Sequence, residues 1–311
     1  MAIASGYRTY LFVFDVDGGR VVCPIAERTA GDRADIVTPY GFSGPTANVE
    51  YPQFSEVWRR FAIQQGWVCG YLLLHPALEQ PTLYQESDAC RRTEVYMLDL
   101  RPSESELYAG LSRNRRRELK AWTARGDRQT TDRAAITDFV VHEQARFFSS
   151  RGASATYRFP EAMWRSLLMC QNVIVLGATM GSRIVAASIF GHTETGGESL
   201  FNVSLPEGRQ FSTALLWEGA LLLKQRGVPI LHLGGGVRAG DGVAEFKQRF
   251  RPQAARVTSL CQIYDQDAYA RLCRQIDADP DDRSGYFPPY RRAWDLSDHV
   301  GADGTSRSHV R

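Results

Sequence analysis

The segment from Pro229 to Pro252 joins an apolar strand, a glycine-rich loop and a single lysine. Ile230 to Leu233 forms a short apolar run, which predicts a buried strand. Glycines at positions 234, 235, 236, 240 and 242 follow, and glycine lets a chain turn sharply and approach a ligand closely. Ala244 to Phe250 predicts a short helix, on which Lys247 is rotated about 100° away from the Phe246 side chain.

Lys247 stands out because the chain has 37 basic residues, of which only those at 120, 224 and 247 are lysines. A generic positive charge in this chain would be an arginine. A compact ammonium can stabilise the negative charge that develops when an acyl carbon is attacked. A solvated lysine on a surface helix fits the same pattern, and the local sequence leaves both interpretations open.

Three carboxylates near the glycine loops are candidates for acid-base chemistry. Asp35, Asp241 and Glu245 flank glycine-containing loops and are candidate proton acceptors, although each also fits a helix cap or a surface carboxylate. His232 sits in the middle of the predicted strand and is interpreted as a core histidine. The sequence shows no metal-ligand spacing, Ser-His-Asp set or phosphate-binding loop signature, so we expect no metal and no cofactor.

A dense basic cluster lies between residues 113 and 128. Leu107 to Arg125 predicts one helix that ends at Gly126, with leucines on one side and the cluster on the others. Like charges at this density repel one another unless an anion or solvent separates them. A phosphate-rich ligand would supply the anion, and a solvated basic face is the alternative.

Composition indicates a globular protein with one large or two compact domains, since 43% of the 311 residues are apolar. No apolar run approaches the roughly 20 residues that span a bilayer, and the N-terminus lacks a signal-peptide pattern. We therefore expect a cytoplasmic protein without stable membrane insertion. The six cysteines have no paired spacing and are expected to be buried free thiols.

The first half predicts a hairpin, a loop, a helix and two strands. The loop, Asp35 to Pro45, contains Tyr40 and either lines a site or is an ordinary connector. The other elements are expected as hairpin strands Tyr7 to Phe14 and Arg20 to Ala26, a helix from Phe54 to Ala62, and strands Trp67 to Leu74 and Thr93 to Leu100.

The second half predicts two helices and then an antiparallel meander closed by one crossover, typical of an α/β or α+β domain. Gly18 is followed 48 residues later by the helix stop at Gly66, and Gly181 is followed 46 residues later by Gly227. This spacing indicates two related sheet domains. The elements are helices Ile136 to Ser149 and Glu161 to Met169, strands Val173 to Thr179, Ile184 to His192 and Ser199 to Ser204, and a helix Thr213 to Arg226.

Four segments together resemble the Fem-type aminoacyltransferases: DIVTPYGFSGP, LSRNRRRELKAWTARG, LLWEGALLLKQRGVPILHLGGG and EFKQRF. The resemblance covers residues 7 to 255. It implies an α/β (α+β) fold with two GNAT-like domains, each a mainly antiparallel twisted sheet flanked by helices. The implied segments are an N-terminal domain, 1–128, ending in the basic helix; a catalytic domain, 129–265; a C-terminal helix and extended segment, 266–295; and a disordered tail, 296–311.

The resemblance also implies site residues. The family's phenylalanine-lysine motif falls on Phe246 and Lys247, which makes Lys247 the oxyanion-stabilising candidate. Arg251 departs from the glycine that many relatives have at this position. The tRNA-binding candidates are Arg113, Arg115, Arg116, Arg117 and Lys120. The substrate-binding candidates are Phe246, Gly235, Gly236, Tyr40, Asn202 and Arg209.

The implied reaction moves an amino acid from aminoacyl-tRNA, as co-substrate, to the amine of a small-molecule, cell-wall or antibiotic precursor. A monomer is expected. The family's nucleotide-sugar contacts have no counterpart in the N-terminal half, so a muropeptide acceptor does not carry over. An acyl-CoA N-acyltransferase on the same fold is the alternative, but Ser212 replaces the central glycine of the CoA-binding turn that begins at Arg209. A non-catalytic RNA-binding module is the third interpretation of the function.

Overall fold

The computed structural model describes residues 6–124, 128–151, 159–236, 241–282 and 285–292, except the side chains of residues 91 and 92. The chain divides into two compact units, residues 1–93 with 257–311 and residues 94–256. This grouping differs from the sequence-based division at residue 128, which stays a prediction. The expected tail, 296–311, and the expected helix end at Gly126 lie outside the described residues.

The first unit contains a mainly antiparallel sheet in the order β1-β2-β3-β5-β12, with β4 paired to β2. Only β3 and β5 run parallel among these pairs. The elements are β1 Arg8–Val16, β2 Gly19–Ala30, β3 Arg33–Val37, β4 Thr46–Ala47, α1 Phe54–Gln64, β5 Trp67–Leu73, the start of β6 Ala89–Asp99, most of β12 Gln253–Ile263, and α8 Gln266–Arg274.

Aromatic packing holds α1 against this sheet. Phe54, Trp58 and Ala62 recur every four residues and are buried, so one face of the helix enters the core. The Trp58 indole Nε1 donates hydrogen bonds to Gln262 Oε1 at 2.8 Å and to the Tyr264 hydroxyl at 3.0 Å. Residues more than 200 positions apart thus complete one core.

Asp35 is the centre of a buried ion-pair network in the first unit. Its carboxylate is fully buried and accepts hydrogen bonds from Arg28 Nε at 2.7 Å, Arg291 Nε at 2.8 Å and the Tyr290 hydroxyl at 2.9 Å. Asp35 belongs to β3, so the predicted loop begins after Val37. A buried carboxylate bonded to two guanidinium groups is a structural ion-pair partner and is not the cap or surface group that the sequence also allowed.

Two of the six cysteines are paired. Cys90 and Cys261 form a disulfide across a separation of 171 residues, so the expectation of free thiols is wrong for this pair. Cys23, Cys69, Cys170 and Cys273 are not part of this disulfide, and all of them except Cys170 are buried. No local pattern signals the pairing, because the two strands that carry these residues are far apart along the chain.

In the second unit the strands follow the order β6-β11-β10-β9-β8-β7 and are mainly antiparallel, while β10 and β11 run parallel. Its further elements are α2 Glu104–Gly110, α3 Arg113–Thr123, β7 Gln129–Thr130, α4 Arg133–Ser150, α5 Glu161–Leu168, β8 Val173–Met180, β9 Arg183–His192, β10 Gly197–Ser204, α6 Ser212–Gln225, β11 Ile230–Gly234 and α7 Gly242–Gln248.

The single helix predicted from Leu107 to Arg125 is wrong, because the chain forms two helices there. Leu111 has extended backbone angles and ends α2. Ser112 then begins α3, since its hydroxyl accepts the Arg115 backbone N–H and caps the helix. The break gives the basic residues a helix of their own.

The repeat predicted from glycine spacing is confirmed. Each unit has an antiparallel hairpin, a third strand, a helix, and a strand parallel to that third strand: β1-β2-β3-α1-β5, with the short β4 inserted before α1, and β8-β9-β10-α6-β11. Gly18, Gly66, Gly181 and Gly227 all have positive φ angles, between 63° and 79°, at equivalent turns. In the described part of the chain, no helix is both long and apolar enough to cross a bilayer.

Candidate functional site

Lys247 is positioned by the end of β11 and by the short helix α7. Gly234 ends β11 with a φ of 74°, a backbone conformation that favours glycine. Asp241 begins α7, because its Oδ1 accepts the backbone N–H groups of Val243 at 3.0 Å and Ala244 at 2.8 Å. Residues 237–240, which include Gly240 of the predicted loop, lie outside the described residues.

The Lys247 ammonium folds back onto the glycine turn. Its Nζ donates a hydrogen bond to the Gly235 carbonyl oxygen at 2.6 Å and lies 3.1 Å from the place that a Gly234 Cβ would take. Burial lowers the pKa of Lys247 to about 8, and the nearby Asp241 carboxylate acts in the opposite direction. The lysine is therefore half-buried and close to its protonation midpoint in mildly alkaline solution, which a solvated surface lysine would not be.

The surroundings of Gly235 and Gly236 differ. A Cβ on Gly235 would lie 2.7 Å from the Glu94 carbonyl oxygen, so the strand and the turn can approach only because this residue has no side chain. Gly236 is exposed. On the far side of α7, Gln248 Nε2 donates to the Tyr96 hydroxyl at 2.9 Å and ties the helix to β6.

Arg115 is buried and packs against the helix that carries Lys247, so it is not part of an exposed basic face. Its side chain is 6% exposed, and its guanidinium lies 4.3 Å from the centre of the Phe246 ring and 5.5 Å from that of Phe250. Nη1 also donates to Glu118 Oε2 at 2.7 Å and to Thr213 Oγ1 at 2.6 Å. The residue therefore connects α3 with both α6 and α7.

The other basic residues of α3 surround an open cavity of about 860 Å³. Arg113, Arg117 and Lys120 are exposed, and Arg116 is partly exposed. Tyr108 and Asn114 complete the lining, and we call this cavity the basic groove. Asn114 Oδ1 accepts a hydrogen bond from Arg117 Nη2 at 2.7 Å and fixes that guanidinium on the helix surface.

The amino end of α6, where a CoA pyrophosphate would bind in a GNAT enzyme, lies against α3. Thr213 is buried and donates its hydroxyl to Glu118 Oε2 at 2.5 Å. Burial acts to raise the pKa of Glu118, but the hydrogen bonds from Thr213 and Arg115 outweigh it and lower the pKa. An ionised carboxylate thus already lies beside the first turn of α6.

The remaining substrate-binding candidates belong to other elements than Lys247. Tyr40 lies in the first unit and is 40% exposed. Asn202 lies on β10 and donates to Ser188 Oγ on β9 at 2.7 Å. Arg209 is exposed in the 3₁₀ turn 206–211 before α6. The binding role of these three residues stays a prediction.

The candidate proton acceptors also have other partners. Asp241 caps α7, and Glu245 forms a 3.5 Å ion pair with Arg249 on an exposed surface. His232 is 1% exposed on β11, with Nδ1 3.4 Å from Glu198, which fits the expected core histidine. Within the described ranges, no three His, Cys, Asp or Glu side chains are arranged to hold a metal ion.

Arg251, where many Fem-type relatives have glycine, has a φ of 53°. This is the left-handed region that glycine occupies without strain. The arginine therefore keeps the backbone geometry that glycine would give, and the departure leaves the turn after Phe250 intact.

No family model and no curated protein matches the sequence significantly. Solved structures do match the fold. The crystal structure of FemX is 10% identical, with a TM-score of 0.61 over 85% of this chain and 90% of that one. The C-terminal domain (DUF2156) of a putative lysylphosphatidylglycerol synthetase from Agrobacterium fabrum is 15% identical, with a TM-score of 0.56 over 86% and 87%.

The structure of L-PGS from Bacillus licheniformis adds a third match, 14% identical, with a TM-score of 0.52 over 83% of this chain and 84% of that one. At these identities the likeness concerns the fold. The order of the strands within each unit and the matches to these three structures lead to one conclusion: the chain has a Fem-type, tandem GNAT-like fold.

Proposed function

We propose that this protein is a tRNA-dependent aminoacyltransferase that forms an amide on a small-molecule, cell-wall or antibiotic-precursor amine. The acceptor nitrogen attacks the ester carbonyl carbon of an aminoacyl-tRNA, and a tetrahedral oxyanion forms. The ester C–O bond then breaks, the tRNA 3′-terminal ribose leaves with a proton, and the amine loses one. The ester is already activated, so the protein must supply positioning and charge stabilisation and needs no cofactor.

The geometry of Lys247 carries this proposal. A half-buried ammonium, fixed by a 2.6 Å hydrogen bond to the Gly235 carbonyl, presents a positive charge at a glycine turn. A fixed charge with little water around it stabilises a developing oxyanion more strongly than a solvated charge does. Asp241 caps the helix and so fixes the direction from which Lys247 approaches the turn.

The basic groove supports a polyanionic donor. Arg113, Arg116, Arg117 and Lys120 place four cations around one cavity of about 860 Å³. Contacts of this kind neutralise phosphates without reading sequence, as binding of a tRNA backbone requires. Arg115 is omitted from this set because its guanidinium is buried between Phe246, Glu118 and Thr213.

The surroundings of α6 favour tRNA over acyl-CoA as the donor. A pyrophosphate at the amino end of this helix would meet the Glu118 carboxylate, which is held at 2.5 Å from the Thr213 hydroxyl. Ser212 also carries a side chain where the CoA-binding turn of GNAT enzymes has glycine. Both features oppose the close backbone approach that a diphosphate needs.

The test compares the two donors directly. The full chain is incubated with a panel of amines and either tRNA charged with radiolabelled amino acids or labelled acetyl-CoA, and the amide product is measured. We expect product from charged tRNA only, and loss of that product in Lys247→Ala. Product from acetyl-CoA alone would establish the GNAT alternative. RNA binding without product from either donor would favour the non-catalytic RNA-binding module. A cytoplasmic, monomeric protein remains our expectation.

A further inference from the structure

A second cavity in the same unit combines aromatic walls with carboxylates. It encloses about 580 Å³ between α2, α3 and α6, and we call it the aromatic cavity. Tyr108, Trp122, Trp217 and Leu221 supply apolar surface, and Glu104 and Glu218 supply oxygen acceptors. The Tyr108 and Trp217 rings meet edge to face at 6.0 Å, and Trp122 packs on Phe211 at 5.5 Å, so the walls are held in place.

Glu218 is a half-buried acceptor at mid-helix on α6. Burial raises the pKa of Glu218, a hydrogen bond from Trp122 opposes this effect, and the charge of Glu104 adds to it. Among the described residues, neither Glu104 nor Glu218 lies within ion-pair distance of a basic side chain. A hydrogen-bond donor from a ligand would therefore meet carboxylate oxygens that are not ion-paired with a described basic side chain, although Lys120 lines the same cavity.

The aromatic cavity and the basic groove adjoin each other, since Tyr108 and Lys120 line both. A ligand that spans them meets flat apolar walls and acceptors on one side and four cations on the other. A simple organic cation would suit the carboxylates but would be repelled by the neighbouring cations. A nucleotide satisfies both sides, because it joins a flat base that can carry N–H donors to an anionic phosphate.

We propose that the aromatic cavity takes one unstacked nucleobase with an exocyclic amino group, while the adjacent phosphates of the same RNA strand lie in the basic groove. The base packs against the Trp122 side of the cavity, and its amino group donates to Glu218. Adenine, cytosine and guanine carry such a group and uracil does not. The proposal deepens the function above, on which it rests for the identity of the natural RNA.

The sharpest test compares oligocytidine with oligouridine of equal length. Cytosine has an exocyclic amino donor at C4 where uracil has a carbonyl acceptor, and N3 is an acceptor in cytosine but an N–H donor in uracil. Binding to the full chain is measured by fluorescence anisotropy at fixed salt. We expect oligocytidine to bind about tenfold more tightly, as for a hydrogen bond to a charged group. Glu218→Leu should reduce this ratio to about one, while Arg116→Ala with Arg117→Ala should weaken both oligomers equally.

The control is Glu194→Leu, which removes an equally negative but exposed side chain from a turn of the same unit. It reproduces the general gain in RNA affinity from losing one negative charge and should leave the cytidine-to-uridine ratio unchanged. Circular dichroism and thermal unfolding show whether each variant is folded. Should Glu218→Leu fail to fold, Trp122→Phe, which keeps a ring but loses the indole N–H and some area, should still lower the ratio.

Equal affinity of wild type for oligocytidine, oligouridine and an abasic strand would overturn the proposal. A second result would also overturn it. If benzylamine, an aromatic cation, quenches the indole fluorescence of the cavity and the oligomers displace it equally whatever their base, the cavity is a cation site. The oligomers carry no amino acid, so this outcome is independent of transfer. Base-dependent binding without aminoacyl transfer would overturn only the proposed reaction, and transfer without base dependence would overturn only this inference.

Discussion

At the scale of single residues, Lys247 is the position on which the proposed chemistry depends. Replacing it with alanine removes the charge that faces the developing oxyanion, whereas the fold keeps the Phe246–Phe250 ring contact. We expect kcat to fall by roughly 100- to 1000-fold with little change in tRNA affinity. Steady-state kinetics with charged tRNA and a filter-binding measurement separate the two effects.

Lys247→Arg tests position rather than charge, because a planar guanidinium cannot occupy the space beside Gly234 that a compact ammonium fills. Lys224→Arg is the matched control. Lys224 Nζ also donates to a backbone carbonyl, that of Leu100 at 2.9 Å, but lies away from the glycine turn. Wild-type turnover in both Lys247 variants would remove this residue from the mechanism.

The pH dependence follows from the pKa of about 8 for Lys247. The ammonium is the active form, and loss of its proton above this pH removes the positive charge that the mechanism needs. We expect kcat to fall as the pH rises through about 8, on top of the rise that deprotonation of the acceptor amine produces. The residual activity of Lys247→Arg should lack the fall, and a rate that keeps rising to pH 9.5 would contradict an ammonium role.

At the scale of elements, Arg115 joins three helices, and we expect its replacement to destabilise the folded protein. Arg115→Leu leaves Glu118 without its guanidinium partner and removes the contact with Phe246. We expect the free energy of unfolding to fall by about 3 kcal/mol, measured by urea denaturation. Arg117→Leu, on the exposed face of the same helix, should change it by less than about 0.5 kcal/mol, and equal effects would refute the distinction.

The exposed basic residues of α3 should make the affinity for tRNA depend on salt concentration. Each phosphate contact contributes about 0.7 to 0.9 to the slope of log affinity against log salt. Arg116→Ala with Arg117→Ala should therefore weaken tRNA binding and reduce the slope by about 1 to 2, as anisotropy titrations between low and physiological salt would show. An unchanged slope would mean that this surface is simply solvated.

The elements that the sequence predicted well have strong local signals. Alternating apolar residues and turn glycines placed β8, β9 and β10, and regular apolar spacing with Gly66 placed α1. The break between α2 and α3 was missed because Leu107, Leu111, Leu119 and Trp122 maintain a helical period across it. A serine cap at position 112 was the local signal that decided otherwise.

At the scale of the whole molecule, the Asp35 network fixes the segment 285–292 to the first unit. Asp35→Asn would leave Arg28 and Arg291 buried without their anion, and we expect it to lower the free energy of unfolding by about 3 to 5 kcal/mol. Asp15→Asn is the control, since its pair with Arg20 is exposed. Comparable small losses in both variants, measured by urea denaturation, would show that the network contributes little.

Long-range partners explain why the sequence could give only part of the site. Lys247 and the basic helix are local patterns, and both were predicted. The burial of Arg115 depends on Phe246, 131 positions away, and the Glu118 contact on Thr213, 95 positions away. No local pattern encodes such contacts, which is why Arg115 was first grouped with its exposed neighbours.

The arrangement of the units along the chain has a consequence for synthesis on the ribosome. Residues 94–256 form one uninterrupted unit, but the other unit needs residues from both sides of that segment. Leu260 and Tyr264 pack in the same core as Trp58, so this core stays open until β12 has been made. At typical elongation rates the delay is on the order of 10 s, during which the apolar side chains around Trp58 lack partners that cover them in the folded unit. The unit that begins first is therefore completed last.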